Sequence, residues 1–205
     1  MKIDYKYLDK LLLDVNNKKR QFKYFKINEI NAEITYLRCP SSLSFDIFKT
    51  GLMGEFCKQK YKIKEQAKLR SGSKNFLKIY NMNEQIIKID SFISGEIDVV
   101  FLANYVENKR YLFPFFPDGS KYLTYVYVAR YIDEVVSEEY LVDSDQIVYE
   151  KYEKINKNET NYLKINYVPN GKFKILDYER GIFNNNVTIT YDQIEQKTWL
   201  DELRQ

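Results

Sequence analysis

Carboxylates carry most of this chain's chemical promise, and they crowd into one segment. Residues 131 to 160 hold nine, Asp133, Glu134, Glu138, Glu139, Asp143, Asp145, Glu150, Glu153 and Glu159, opposed only by Lys151, Lys154 and Lys157. Tyr131, Tyr140, Tyr149 and Tyr152 are interleaved with them. Charge of one sign steers and orients an oppositely charged partner, and aromatic rings supply buried anchor area. The pattern therefore points to binding, with Asp133, Glu134, Glu138, Glu139, Tyr140, Asp143, Asp145, Tyr149 and Glu153 facing a basic protein. Catalysis has fewer routes, because the 205 residues include no histidine. That removes His-dependent nucleophile systems, imidazole acid–base pairs and nearly all usual zinc sites. Carboxylate pairs on one strand face, Glu96 with Asp98 and Asp177 with Glu179, do not make a glycosidase pair by spacing alone, since separation and burial set the roles. Cys39 and Cys57 lack metal-ligand spacing and read as inert thiols.

One string has an enzyme reading: Ser94-Gly95-Glu96-Ile97-Asp98-Val99-Val100. It resembles the Gly-Glu-Ile-Asp-apolar-apolar strand of nucleases of the PD-(D/E)xK superfamily. The resemblance spans seven residues and implies that Asp98 is a divalent-metal ligand, completed by a Glu-x-Lys on the next strand. That strand, Arg110-Tyr111-Leu112-Phe113-Pro114-Phe115, has neither the carboxylate nor the lysine. Glu107-Asn108-Lys109 spells the triplet, but in an expected turn.

The opposite charge gathers elsewhere. Residues 1 to 80 hold 18 Lys and Arg against 8 Asp and Glu, so the overall +3 conceals a basic first part and an acidic remainder. Lys58, Lys60, Lys62, Lys64, Lys68 and Arg70 form the densest basic stretch, which suits a nucleic-acid phosphate backbone or a solvated helix.

These residues need elements to position them. Asp4 can cap a first helix with Leu8, Leu11, Leu12 and Val15 on one face, ending in Lys18-Lys19-Arg20. Residues 21 to 38 look extended. A helix capped by Ser44 follows, weakened by Gly51 and Gly54, then a polar helix from Glu55 to about Arg70. From Phe76 a meander begins, with strands expected at 76–81, 85–93, 96–105, 110–116, 120–131, 146–155, 160–168 and 172–179. Residues 133 to 145 are ambiguous between hairpin and helix. Phe116-Pro117-Asp118-Gly119-Ser120 and Val168-Pro169-Asn170-Gly171-Lys172 both suit three-residue loops with glycine in the left-handed region. That register sets Phe113 against Leu123, Tyr111 against Tyr125, Tyr167 against Phe173 and Ile165 against Ile175. Thr190-x-x-Gln193 reads as a capping box opening a last helix with Trp199, Leu200 and Leu203.

The resulting expectation is an α+β fold: a large twisted antiparallel meander of about eight strands, with N-terminal helices and a C-terminal helix packed on one face. Residues 1–75 form a basic helical and extended portion and 76–205 the sheet, in one continuous domain. The expected function is non-enzymatic: an immunity-type inhibitor that neutralises a basic toxin or nuclease, needing no cofactor. The alternatives are a divergent PD-(D/E)xK-type nuclease at Asp98, or a nucleic-acid-binding accessory protein using Lys58 to Arg70. No apolar run reaches the ~18 residues of a membrane span, so a cytoplasmic location is expected.

Overall fold

The apolar stripe near the N-terminus forms helix α1 (Tyr5–Gln21), which buries Leu8, Leu11, Leu12 and Val15. Asp4 caps it, its carboxylate accepting the Tyr7 N–H at 3.1 Å. Lys18, Lys19 and Arg20 occupy the last turn, where cations meet the negative end of the helix dipole. The computed structural model describes residues 4–38, 51–121, 125–170, 175–184 and 188–191. The Ser44 cap, Cys39 and the segment with Trp199, Leu200 and Leu203 lie outside them.

After α1 come β1 (Glu33–Arg38), a second helix α2 (Leu52–Lys60), the two-residue β2 (Glu65–Gln66) and then the meander. Its strands are β3 (Phe76–Met82), β4 (Gln85–Ile93), β5 (Glu96–Val106), β6 (Lys109–Phe115) and β7 (Tyr125–Ile132). They continue as β8 (Val135–Asp143), β9 (Gln146–Lys154), β10 (Glu159–Tyr167), β11 (Ile175–Asn184) and β12 (Thr188–Tyr191). All twelve join one antiparallel sheet, running in chain order from β12 back to β3 and ending β1-β2. Among the described residues no helix is long and apolar enough to cross a membrane.

The sheet is larger than the eight strands expected. The ambiguous segment becomes β8, and the basic portion contributes β1 and β2. The long polar helix ends at Lys60 because Lys62 takes a left-handed φ of 54°. Thr190, expected to cap a helix, instead pairs with Ile182 in the β11–β12 ladder, and its hydroxyl accepts the Asn184 side-chain amide at 3.3 Å.

The two proline turns behave differently. At the first, Gly119 has φ 85°, its N–H donates to the Phe116 carbonyl, and Phe115 bridges Lys121, so the expected loop forms there, while Leu123, expected opposite Phe113, lies outside the described residues. Further on, Tyr111 pairs with Val128 rather than Tyr125. The β6–β7 ladder stops at Leu112, and Pro114, with no N–H to donate, lies beyond it. At the second turn the expected register fails: Tyr167 pairs with Ile175 and Ile165 with Tyr178. This keeps Tyr167 and Ile175 together in the core under α1.

The helices do not share a face. Successive strand residues point to opposite sides, and β8 shows the result. Glu138 accepts the Tyr7 hydroxyl of α1 at 2.6 Å, while Glu139 accepts the Gly51 N–H ahead of α2 at 2.9 Å. The sheet is therefore covered on both sides through its middle, and Val126 to Ala129 are four consecutive buried residues. One core lies between α1 and β5–β11; on the other face, smaller clusters centre on Leu112 with Tyr127 and on Met53 with Phe183.

Candidate functional site, a basic cavity beside α2

The placement of α2 begins with two buried carboxylates. Glu139 and Glu150 are cross-strand partners on β8 and β9, each about 1 % exposed. Charges so enclosed need partners. Tyr127 donates to Glu139, and the Tyr152 hydroxyl lies 2.9 Å from Glu150 and 3.3 Å from Glu139. The Gly51 and Met53 N–H groups, at the positive end of α2, donate to Glu139 and to the Tyr152 oxygen. Buried Arg110 places its guanidinium 5.9 Å from the Tyr127 ring centre. Burial, then the neighbouring carboxylates, push the Tyr127 and Tyr152 hydroxyls well above the ordinary tyrosine pKa. A Cβ at Gly51 would stand 2.5 Å from Glu139 Oε2, so only glycine lets the chain approach this closely. The network fixes where α2 starts, and thereby where the chain after it emerges.

That chain turns back at once. The Lys62 N–H donates to the Gln59 carbonyl and the Ile63 N–H to the Lys58 carbonyl, closing α2 with a left-handed residue in the place glycine usually takes. β2 then pairs with the outer edge of β1, Tyr36 opposite Gln66. Farther along, the Gly95 N–H donates to the Lys74 carbonyl and the Ser94 N–H to the Asn75 side chain, which ties the 70–75 segment to the β4–β5 turn. Between these anchors lies a cavity of about 660 Å³.

Five cations line it: Arg38, Lys62, Lys64, Arg70 and Lys74, with no carboxylate among the described lining residues. All five are exposed, and none is ion-paired with a described residue. The nearest sequence carboxylate, Glu65, lies 3.8 Å from Lys58 instead. Tyr36, Tyr61 and Gln66 also line it. Like charges gathered without counter-ions in a concavity create a focused positive potential, which attracts anions.

Of the basic stretch named from sequence, Lys62, Lys64 and Arg70 reach this cavity. Lys58 is engaged by Glu55 at 2.9 Å, and Lys60 sits over the Phe56 and Tyr61 rings. Lys68 is not in the lining. Arg38 and Lys74 were not singled out by sequence, since each is a lone charge whose neighbours become visible only through the β1–β3 and β4–β5 pairings. A usable signal did exist: lysines at 58, 60, 62 and 64 recur every second residue, which is not the period of a helix face.

The acidic set does not assemble into one surface. Glu138, Glu139, Tyr140 and Tyr149 are buried, at 6 %, 1 %, 1 % and 5 % exposure, which corrects their assignment to a partner-facing surface. The cause is that β8 and β9 are covered on both faces. Tyr140 and Tyr149 pack in the core under α1, and burial holds their hydroxyls above the ordinary range. Asp133 and Glu134 form the β7–β8 turn, with Glu153 at the same end of the sheet, whereas Asp143 and Asp145 flank the β8–β9 turn. Strand β8 separates the two groups by ~25 Å or more.

Asp98 is exposed and unpaired in the β4–β5 ladder, where the register shifts between Phe92 opposite Ile97 and Ser91 opposite Val99. Glu107 lies nine residues along the same strand direction, roughly 30 Å away, so the triplet cannot converge on Asp98. Among the described residues no group of three or more acidic or cysteine side chains is placed to hold a metal ion. Comparison with protein-family models, curated proteins and solved structures found no match.

Proposed function

We propose that this chain binds nucleic acid through the basic cavity beside α2. The observation that supports it is the convergence of Arg38, Lys62, Lys64, Arg70 and Lys74 on one concave site with no carboxylate among its described residues. Five exposed cations with no described counter-ion give the concavity a positive potential, and a phosphodiester chain supplies negative charges at regular spacing. The charge asymmetry fits the same role, since the acidic remainder of the chain leaves the basic face as the one anionic partners approach. The site contains no described group positioned for bond cleavage, so the proposal is binding alone.

The test is fluorescence anisotropy with a labelled oligonucleotide across a salt series. Phosphate contacts by all five cations would give a slope of log K against log salt of about −3.5 to −4.5. Lys62→Glu combined with Lys64→Glu should abolish binding while leaving circular dichroism unchanged, because both side chains are exposed. Binding that survives this double reversal, or that lacks salt dependence, refutes the assignment.

A further inference from the structure

Several tyrosines of this chain pack inward and give their hydroxyls to carboxylates: Tyr7 to Glu138, Tyr80 to Asp90, Tyr152 to Glu150 and Tyr167 to Asp9. Tyr61 and Tyr36 depart from that use. Tyr61 is 43 % exposed and lines the cavity among the cations. Tyr36 also lines it, and it is backed by an aromatic row: its ring centre is 6.2 Å from that of Phe76, which stacks on Phe92 at 4.3 Å. One ring is thus partly exposed, with Lys60 5.5 Å from its centre, and the other touches an aromatic row. Gln66, opposite Tyr36 on β2, adds an amide able both to donate and to accept.

We infer that the cavity selects single-stranded nucleic acid, with an unstacked base laid against Tyr61 or Tyr36 while the surrounding cations hold its phosphates. The inference rests on the nucleic-acid reading above and narrows it. A duplex keeps its base faces stacked inside a rod and offers only groove edges, so it cannot present a ring face to a tyrosine within a concavity. A single strand can, and stacking on aromatic side chains inside a basic groove is how sequence-tolerant single-strand binding is built. The volume of about 660 Å³ suits a unit of nucleotide size rather than a helix.

The experiment measures three fluorescein-labelled probes at one salt concentration: a mixed-sequence single strand (as DNA and as RNA), the same strand with central abasic sites, and a hairpin duplex. The intact single strand should bind at least about tenfold more tightly than the duplex. Tyr61→Leu, which keeps apolar bulk at an exposed position, should weaken the intact strand by about tenfold or more and leave the abasic strand unchanged. Equal or tighter duplex binding, or a Tyr61→Leu loss shared by the abasic strand, overturns the single-strand inference while the broader reading stands. Failure of all three probes to bind overturns both.

Discussion

Lys62 combines an unfavourable backbone with a favourable place. A non-glycine residue at φ 54° strains its Cβ against the following carbonyl, at a cost of about 1–2 kcal/mol. Helices that end this way usually carry glycine there. Lys62 lines the basic cavity, and under the proposed function this is the kind of position in which strain is tolerated. Lys62→Gly should therefore move two measurements in opposite directions. Thermal unfolding should shift upward by a few degrees, about 1 kcal/mol for a chain of this size. Oligonucleotide affinity should fall, and the salt slope should shrink by about one. A variant that gains stability without losing affinity would remove Lys62 from the site. The tyrosines carry a different lesson at this scale. Tyr140 and Tyr149 read from sequence as anchors for a partner, yet their rings belong to the protein's own core. A tyrosine between glutamates looks the same in sequence whether the strand's second face is wet or covered by a helix, and only the tertiary structure distinguishes them.

Among the elements, the hairpins are the most regular, and two of them carry avoidable strain. The β3–β4 turn has Asn83 at φ 49° and Glu84 at 62°, and the β7–β8 turn has Asp133 at 49° and Glu134 at 65°. Both are tight loops with two left-handed residues, whose second position favours glycine. Glu84→Gly and Glu134→Gly should each stabilise the fold by roughly 0.5–1 kcal/mol, additively because the turns are far apart, as read by chemical denaturation with unchanged m-value. A loss of stability in either would mean that the glutamate makes a compensating contact. The β3–β4 turn was legible in sequence, as were α1 with its cap and the strand starting at Phe76, because each rests on local chemistry: a capping carboxylate, a 3.6-residue stripe, or punctuation between alternating runs. The β7–β8 turn opens residues 133 to 145, whose sequence suits either a hairpin or a helix. Register beyond the loops was not legible. At β6 it is set by where Pro114 can no longer support the β7 ladder, and at β10–β11 by the pairing of Tyr167 with Ile175 in the α1 core. The cavity escaped for the same reason, since Arg38 meets Lys62 and Lys74 only after β1 pairs with β2 and β3.

Over the whole molecule, tyrosine burial sets the response to alkali. Tyr7, Tyr80, Tyr111, Tyr127, Tyr140, Tyr149, Tyr152 and Tyr167 all have hydroxyl pKa values raised in the fold, first by burial and in most cases next by a neighbouring carboxylate. The unfolded chain releases these protons near pH ~10, while the folded chain retains them. Above that pH the folded state binds more protons, so stability is complete below about 10 and falls as pH rises. The enclosed pair Tyr127 and Tyr152 each contribute up to ~1.4 kcal/mol per pH unit to that fall. Tyrosinate absorbance from the core should therefore appear together with loss of circular dichroism, in one cooperative alkaline step; core tyrosines that ionise gradually while the spectrum stays native would contradict it. Strand order gives the molecule a further property, a mechanical one. From β3 to β12 each strand's neighbour in the sheet is its neighbour in the chain. Tension applied at the β12 end loads the ladders rung by rung, as a zipper is opened, instead of shearing whole strands at once. β12 and β11 would peel away first at low force. Resistance would rise at β10, where Asp9 of α1 accepts the Tyr167 hydroxyl at 2.7 Å and the helix begins to strap the sheet across to Phe113 of β6, on whose ring Phe22, just past the helix, is stacked.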